Sequence, residues 1–277
     1  SGFFSEFGFM KYRLEVEIKY FLFLNNLLEN SEIAEYIERP VEQIYNEAFD
    51  ELERRNFISA AQQFDEVERQ HPYSIWARRA MVMAAYTYYL QNKYDEAILT
   101  ARRFIALYPG NKRAAYAYYL IAICQYERIS DVKRDQLITE LAQQALVDVI
   151  RRFPESDYAR DAILKLDLTN DHLAGKEMDV GRYYLKRGYY IAASKRFSNV
   201  IKNFPRTSHV PEALHRLTEV YLSLGVNSEA QNAAAVLGYN FPDSRWYRDS
   251  YRVLVNRELT PEEDPSSWIG RALDKVF

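Results

Sequence analysis

Glycine, proline and cysteine are scarce in this sequence, and each scarcity excludes a class of structure. Glycine and proline occur nine times each in 277 residues, too few for the many tight turns of a β-sandwich or barrel. The single cysteine, Cys124, excludes an internal disulfide, and its apolar surroundings predict a small core residue. No run of about 20 apolar residues occurs, so no bilayer-spanning helix is predicted.

An excess of positive charge is also missing. The 36 basic and 39 acidic residues give a formal net charge of −3, whereas a general nucleic-acid-binding domain carries a marked basic excess. We therefore expect no nucleic-acid partner. Hydrophobic residues at 48% and charged residues at 27% are typical of a globular protein, and 23 tyrosines supply rings suited to helix packing and to binding surfaces.

Signatures of catalysis are absent from the sequence. The four histidines, His71, His172, His209 and His215, lack the i, i+4 spacing of a helical metal pair. There is no phosphate-binding loop, no G-x-S-x-G elbow and no dinucleotide fingerprint. We therefore expect a protein that holds other proteins, with no enzyme activity, metal or cofactor.

A short motif recurs along the chain: an aromatic residue or histidine, then proline, and usually a serine soon afterwards. Its prolines are spaced by 37, 45, 51 and 37 residues, close to the tetratricopeptide period of about 34 where no insertion intervenes; they are Pro72, Pro109, Pro154, Pro205 and Pro242. Proline stops a helix, and a serine or threonine after it can cap the next helix. Each motif therefore predicts the end of one helix and the start of another, and Pro211 suits the first turn of a helix.

Small and apolar residues keep a fixed register to these prolines. Twelve residues before each proline stand Ala60, Ala97, Ala142, Ala193 and Ala230, and eight residues before it stand Phe64, Ala101, Leu146, Phe197 and Ala234. A spacing of four places both sets on one helical face. The preceding helices have matching small positions at Ala48, Ala85, Ala122 and Gly181. The pattern predicts an all-α tetratricopeptide-repeat solenoid of about five helix pairs, at 40–73, 74–110, 111–155, 156–206 and 207–243.

Several segments depart from the repeat. A charged insertion occupies 127–136, and 157–186 predicts one helix of roughly 45 Å, part of which we expect to project or meet a partner. Residues 256–277 predict an acidic linker followed by a short amphipathic helix from Trp268. Residues 1–35 form an irregular N-terminal extension of uncertain origin, with a strand-like alternation near residues 12–19.

The first helix of each repeat lines the inner groove of a tetratricopeptide stack, and here these helices are rich in aromatic residues. An aromatic groove with a cation suits an extended peptide that carries aromatic side chains. The alternative is that the tyrosines pack between repeats. The candidate peptide-binding residues are Tyr45, Phe49, Arg79, Tyr86, Tyr89, Tyr116, Tyr119 and Tyr126.

A second candidate site is the turn Lys186-Arg187-Gly188. Glycine there permits the positive φ of a helix C-cap and fixes Arg187 at a corner, where its guanidinium can bind a partner's carboxylate. The alternative is that Arg187 only complements the dipole of its own helix.

Three stretches, 39–48, 103–109 and 183–193, carry a resemblance that extends over about residues 36–255. They read RPVEQIYNEA, RFIALYP and YYLKRGYYIAA, and they resemble the BamD family of tetratricopeptide lipoproteins of the outer-membrane β-barrel assembly machine. The resemblance implies a scaffold at the periplasmic face of the outer membrane. The family's lipid-anchor cysteine has no counterpart before Cys124.

The resemblance also implies partners. Repeats one to three, in 36–155, would receive the C-terminal segments of unfolded outer-membrane proteins, and repeats four and five, in 156–255, would bind the periplasmic domain of BamA, with Arg187 matching an arginine that pairs with an acidic BamA residue. Other subunits of the assembly complex are further expected partners. Two alternatives remain: another envelope repeat protein that coordinates cell-wall work, and a cytosolic peptide-clamp co-chaperone.

Overall fold

The structure is a computed structural model, and it describes residues 40–264 and 267–273. The predicted N-terminal extension, 1–35, lies outside the described residues. Within the described ranges the chain forms twelve α-helices and no strand, as the sequence predicts. The helices are α1 (Val41–Glu53), α2 (Phe57–Gln70), α3 (Ile75–Leu90), α4 (Tyr94–Leu107), α5 (Ala114–Tyr126), α6 (Leu137–Arg152), α7 (Asp157–Lys186), α8 (Tyr190–Asn203), α9 (Val210–Leu224), α10 (Asn227–Asn240), α11 (Arg245–Val255) and α12 (Trp268–Leu273).

Contacts between helices define an inner and an outer layer. From α1 to α10, each helix packs against the next one in the chain. The first helices of successive repeats, α1, α3, α5 and α7, also contact one another, whereas successive second helices make no comparably close contact in the described part. The first helices therefore form the inner layer, and the predicted solenoid of five helix pairs is confirmed.

The proline motifs act as helix boundaries. Ser74, Ser156 and Ser244 each accept a hydrogen bond from a backbone N–H at the start of the following helix, at 2.9, 3.1 and 3.2 Å. The fourth motif differs, because Thr207 donates its hydroxyl to the Phe204 carbonyl and α9 begins without a side-chain cap. Proline in the first turn of α9 suits this start, since that position has no intrahelical partner for an N–H.

The turns inside four of the five repeats share one backbone geometry; the exception is the third repeat, which carries the insertion. A residue with positive φ follows the first helix. The backbone N–H of the next residue then donates a hydrogen bond to the carbonyl five residues earlier, which is a Schellman-type helix ending. The positive-φ residues are Arg55, Asn92, Gly188 and Gly225, and the bonds are Asn56 N–H to Glu51 O, Lys93 N–H to Tyr88 O, Tyr189 N–H to Tyr184 O and Val226 N–H to Tyr221 O. This geometry holds Arg187 at the corner that the sequence predicts.

The small-residue register marks the closest helix contacts. All five alanines that precede the prolines by twelve residues are fully buried, as are Ala48 and Ala122, and Ala85 is nearly so. In the fourth repeat the small residue is Gly181, where an added Cβ would lie 2.5 Å from Cε1 of Phe197. The ring of Phe197 therefore fills the space that a side chain at 181 would need.

Helix α7 serves two repeats. Its first half packs Tyr158 and Ala162 with Leu146 of α6, and its second half packs Met178 with Phe197 of α8. Of the two expected outcomes, projection is wrong, because the helix buries one face from Ala159 to Gly181, and contact of its exposed face with a partner stays a prediction. The predicted insertion at 127–136 rests on α7, where the Lys176 ammonium donates to the Lys133 carbonyl at 3.0 Å.

We predict that Gly181→Ala lowers the free energy of unfolding by about 1–3 kcal/mol, because the new methyl group overpacks the contact with Phe197. The control is Gly270→Ala, also in a helix, where an added Cβ meets no atom within 4 Å. The control should leave stability unchanged or raise it by up to about 1 kcal/mol through helix propensity. Chemical denaturation of both variants tests this, and equal stabilities would contradict it.

Candidate protein-binding surfaces

A row of tyrosines crosses three first helices on the inner layer. The ring centroids of Tyr86 on α3 and Tyr116 on α5 lie 6.4 Å apart. Tyr158 on α7 then lies 5.4 Å from Tyr116 and 5.2 Å from Tyr119. Tyr89 stacks on Tyr86 at 6.4 Å. The structure thus joins four of the predicted peptide-binding residues into one surface, which we call the tyrosine row: Tyr86, Tyr89, Tyr116, Tyr119 and Tyr158.

Tyr158 was absent from the sequence prediction, although the sequence contains a signal for it. It stands two residues after the capping Ser156, as Trp76 stands two residues after Ser74 and Trp246 two residues after Ser244. An aromatic residue in the first turn after a serine cap therefore recurs in this repeat. At α7 the recurrence brings a ring against the inner tyrosines.

Hydrogen bonds and burial hold the row in place. The Tyr119 hydroxyl donates to the Asp161 carboxylate, which also accepts from the Lys165 ammonium at 3.1 Å. Burial acts to raise the pKa of Asp161, but these two hydrogen bonds and the Lys165 charge hold it below its ordinary value. Burial also raises the pKa of Tyr116, so this phenol stays neutral at physiological pH. The row is therefore an uncharged aromatic surface with a carboxylate at one side.

The remaining predicted groove residues lie beside the row. Tyr45 packs between Phe64, at 5.6 Å, and Trp76, at 4.9 Å, and the Arg79 guanidinium lies 4.9 Å from the centre of the Trp76 ring. Tyr45 therefore packs between repeats one and two while it stays partly exposed, and its role in peptide binding stays a prediction.

The other two predicted residues, Phe49 and Tyr126, lie in different surroundings. Phe49 exposes 39% of its surface. Tyr126 lies near the Lys165 ammonium, 5.6 Å from the ring centre, and lines a recess of about 720 Å³ between the insertion and α7.

The corner at the end of α7 is exposed and aromatic. Gly188 has φ 74°, and the Arg187 guanidinium lies 4.6 Å from the centre of the Tyr183 ring. Lys186 and Arg187 are exposed, and neither forms an ion pair with an acid in the described part of the chain. Tyr189 and Ile191, exposed by 57% and 66%, extend the surface. We call Tyr183, Arg187, Tyr189 and Ile191 the corner patch.

The described residues show no arrangement typical of a metal site or of a membrane-spanning helix. Across residues 40–264 and 267–273, no group of three or more histidine, cysteine or carboxylate side chains is arranged to hold a metal ion. No helix in those ranges combines the length and apolarity needed to cross a bilayer. Cys124 is fully buried, and burial raises the pKa of its thiol to about 12.

The family model and two of the most similar relatives agree with each other. A family model described as YfiO, outer membrane lipoprotein, matches residues 37–237. The outer membrane protein assembly factor BamD of Caulobacter vibrioides is 55% identical over 230 residues, which cover 83% of this chain and 75% of that protein. BamD of Rickettsia prowazekii is 45% identical over 217 residues, which cover 78% and 86% of the two chains. The solved tetratricopeptide domain of P58(IPK) aligns with a TM-score of 0.41 and 12% identity, over 85% of this chain and 64% of that one.

We predict that Tyr119→Phe moves the pKa of Asp161 upward, because one of the hydrogen bonds that lower it is lost. The stability that a depressed carboxyl pKa contributes is present above its unfolded-state value and is lost as pH falls through the folded-state value. The variant should therefore lose less stability than wild type on acidification below about pH 4.

Carboxyl carbon NMR titration gives the pKa directly. Tyr118→Phe is the control, since the Tyr118 ring packs on Phe153 at 5.5 Å and not on Asp161. An identical Asp161 titration in wild type and Tyr119→Phe would show that this hydrogen bond is not formed in solution.

Proposed function

This chain belongs to the YfiO/BamD family of outer membrane assembly lipoproteins, and we propose that it acts as a scaffold of β-barrel assembly at the periplasmic face of the outer membrane. In this role it works by binding and not by catalysis. Its inner groove receives C-terminal segments of unfolded outer-membrane proteins, and repeats four and five hold the periplasmic domain of a BamA-type barrel protein.

The tyrosine row supports the client-binding role. Tyrosine gives a large contact area at low cost in side-chain entropy, and it is enriched where binding energy is concentrated. Every member of the row is partly exposed, so packing against its neighbours holds the ring while part of its surface stays accessible to a ligand. Arg79, next to Trp76, adds a cation that can bind a terminal carboxylate. An extended segment with aromatic side chains and a free C-terminus matches both features.

We predict that the double change Tyr86→Ala, Tyr89→Ala weakens binding of a peptide with a barrel-protein C-terminus by about 2 kcal/mol or more, which is roughly 30-fold in Kd. Isothermal titration of the purified protein measures it. Tyr239→Ala is the matched control, because that side chain is 86% exposed and lies on α10 in the outer layer. Equal affinity of wild type and the double variant would remove the tyrosine row from the site.

The corner patch supports the second binding role. It joins an arginine without an acidic partner among the described residues to two exposed tyrosines and an isoleucine. Arginine and tyrosine are the residues most often found at the centre of protein interfaces. A guanidinium held at a rigid turn loses little freedom when it binds a carboxylate, and it can do so with two parallel hydrogen bonds.

We predict that Arg187→Glu leaves the melting temperature almost unchanged and weakens capture of a BamA-type periplasmic domain by about 2–5 kcal/mol. The control is Arg151→Glu, which reverses a charge in the last turn of α6 without touching the corner patch. A role in the helix dipole alone predicts a loss of about 0.3–1 kcal/mol in the free energy of unfolding of Arg187→Glu, and normal capture by both variants. Surface plasmon resonance with the immobilised domain distinguishes the two outcomes.

A further inference from the structure

The residue that stands two positions after a helix-capping residue packs against the preceding first helix. Three such residues are aromatic, and each lies close to a ring one repeat earlier: Trp76 to Tyr45 at 4.9 Å between ring centres, Tyr158 to Tyr119 at 5.2 Å, and Trp246 to His215 at 5.3 Å. At the start of α5 the same position is occupied by Arg113. The Asn111 side-chain oxygen accepts a hydrogen bond from the Arg113 backbone N–H at 2.9 Å, as the Ser244 hydroxyl does from the Trp246 N–H. Arg113 therefore lies against α3 on the inner layer.

The repeat register identifies the residue of α3 that Arg113 meets. Aligned on the buried small residues of the two repeats, Arg79 of α3 occupies the position of Tyr116 of α5. The Tyr158 ring, at the position of Arg113 one repeat later, lies 5.4 Å from the Tyr116 ring. Two guanidinium groups thus occupy the positions of two rings that are in contact one repeat later. We call Arg79 and Arg113 the arginine pair.

Both charges of the arginine pair act on the hydroxyl of Tyr45. Burial raises the pKa of the Tyr45 phenol, and the charges of Arg113 and Arg79 act to lower it. Because such an effect weakens with distance, both guanidinium groups lie near this hydroxyl. The Arg79 guanidinium is also held 4.9 Å from the centre of the Trp76 ring, which itself contacts Tyr45. The phenol stays neutral, so its hydroxyl can donate a hydrogen bond.

The arginine pair has no counter-charge in the described part of the chain. Neither guanidinium forms an ion pair there, whereas Arg182 and Arg196 of the fourth repeat bind the carboxylates of Glu212 and Glu177 at 3.0 and 3.1 Å. Arg79 is partly exposed and Arg113 is exposed, so both are accessible to a ligand. Two neighbouring like charges repel each other, and an anion bound between them would replace that repulsion by attraction.

The arginine pair lies beside the tyrosine row. Arg113 and Tyr116 are three residues apart on α5, and Arg79 and Tyr86 are seven residues apart on α3. Each arginine therefore shares a helix face with a member of the row, one or two turns nearer the start of its helix. A segment that lies on the row can thus place one end between the two guanidinium groups.

We propose that Arg79 and Arg113 together bind the free C-terminal carboxylate of the client segment, and so select the end of a chain over an internal segment; this rests on the client-binding role proposed above. Each guanidinium donates hydrogen bonds to the carboxylate, and the Tyr45 hydroxyl donates another. An internal segment with the same aromatic side chains would contact the row but would leave the arginine pair without a counter-charge. Arg113 is then a residue that determines specificity, in addition to the predicted Arg79.

A synthetic peptide with a barrel-protein C-terminus tests the proposal when it is prepared in two forms, with a free carboxylate and with a C-terminal amide. Isothermal titration into the full chain measures both affinities. We expect wild type to bind the carboxylate form about tenfold more tightly, because hydrogen bonds between charged groups are stronger than those of a neutral amide. Arg113→Gln should weaken binding of the carboxylate form about tenfold and leave binding of the amide form almost unchanged, at an unaltered melting temperature.

Lys112→Gln is the matched control, because it removes the charge of the neighbouring exposed residue and should keep the preference for the carboxylate. Equal affinity of wild type for the two forms, with both weakened by Tyr86→Ala, Tyr89→Ala, would overturn the role of the arginine pair and leave client binding by the row intact. An undiminished preference in Arg113→Gln, or an equal loss of preference in Lys112→Gln, would also overturn it. Failure of both forms to bind wild type would instead contradict the client-binding role, and this proposal with it.

Discussion

The structure depends on one steric constraint: each pair of helices must approach closely at a small residue. Ala60, Ala97, Ala142, Ala193 and Ala230 are all fully buried at this position. In the fourth repeat the first helix contributes Gly181 against Phe197, so the glycine accommodates a large ring on its neighbour. Close packing of each pair fixes the angle between its helices, and repetition of that angle produces the inner and outer layers.

The two layers place different chemistry on the two faces. First helices meet across repeats, so their aromatic residues must both pack between repeats and remain partly open. Tyr116 illustrates this, because it contacts Tyr86 and Tyr158 in neighbouring repeats while burial raises the pKa of its phenol. Second helices stand apart on the outer layer, and the gaps between them are grooves. One gap is filled by the chain's own α12, which shows what such a groove accepts.

The sequence predicted most of the fold, because repetition makes a weak local signal strong. A single proline or alanine is weak evidence for a helix boundary or a helix contact. Five occurrences in register define the helix pairs and the turns between them, and the turn at Gly188 has the positive φ that the sequence predicts. The course of α7 could not be predicted, since 157–186 reads as one continuous helix and periodicity does not say which neighbours it meets. For this reason the expectation that part of it projects was wrong, whereas contact with a partner stays a prediction.

The candidate site was predicted in part. Tyr86, Tyr89, Tyr116 and Tyr119 follow from the register of the first helices, and the structure joins them. Tyr158 was missed because contact between α5 and α7 is a tertiary property. Tyr45 packs between Phe64 and Trp76, a contact between repeats that the register of the first helices alone does not distinguish from a place in the groove. The contact of Trp268 with Lys202 was equally beyond sequence reasoning, because it joins residues far apart in the chain.

In the proposed function, one solenoid binds two kinds of protein at two separate surfaces. Hydrogen exchange of the chain, with a barrel-protein C-terminal peptide and with a BamA-type periplasmic domain, tests it most directly. We predict that the peptide slows exchange in α3, α5 and the first half of α7, that the domain slows exchange around residues 183–191, and that both patterns persist when the two ligands are present together. Protection of the same segment by both ligands, or loss of one pattern on addition of the other ligand, would contradict the account.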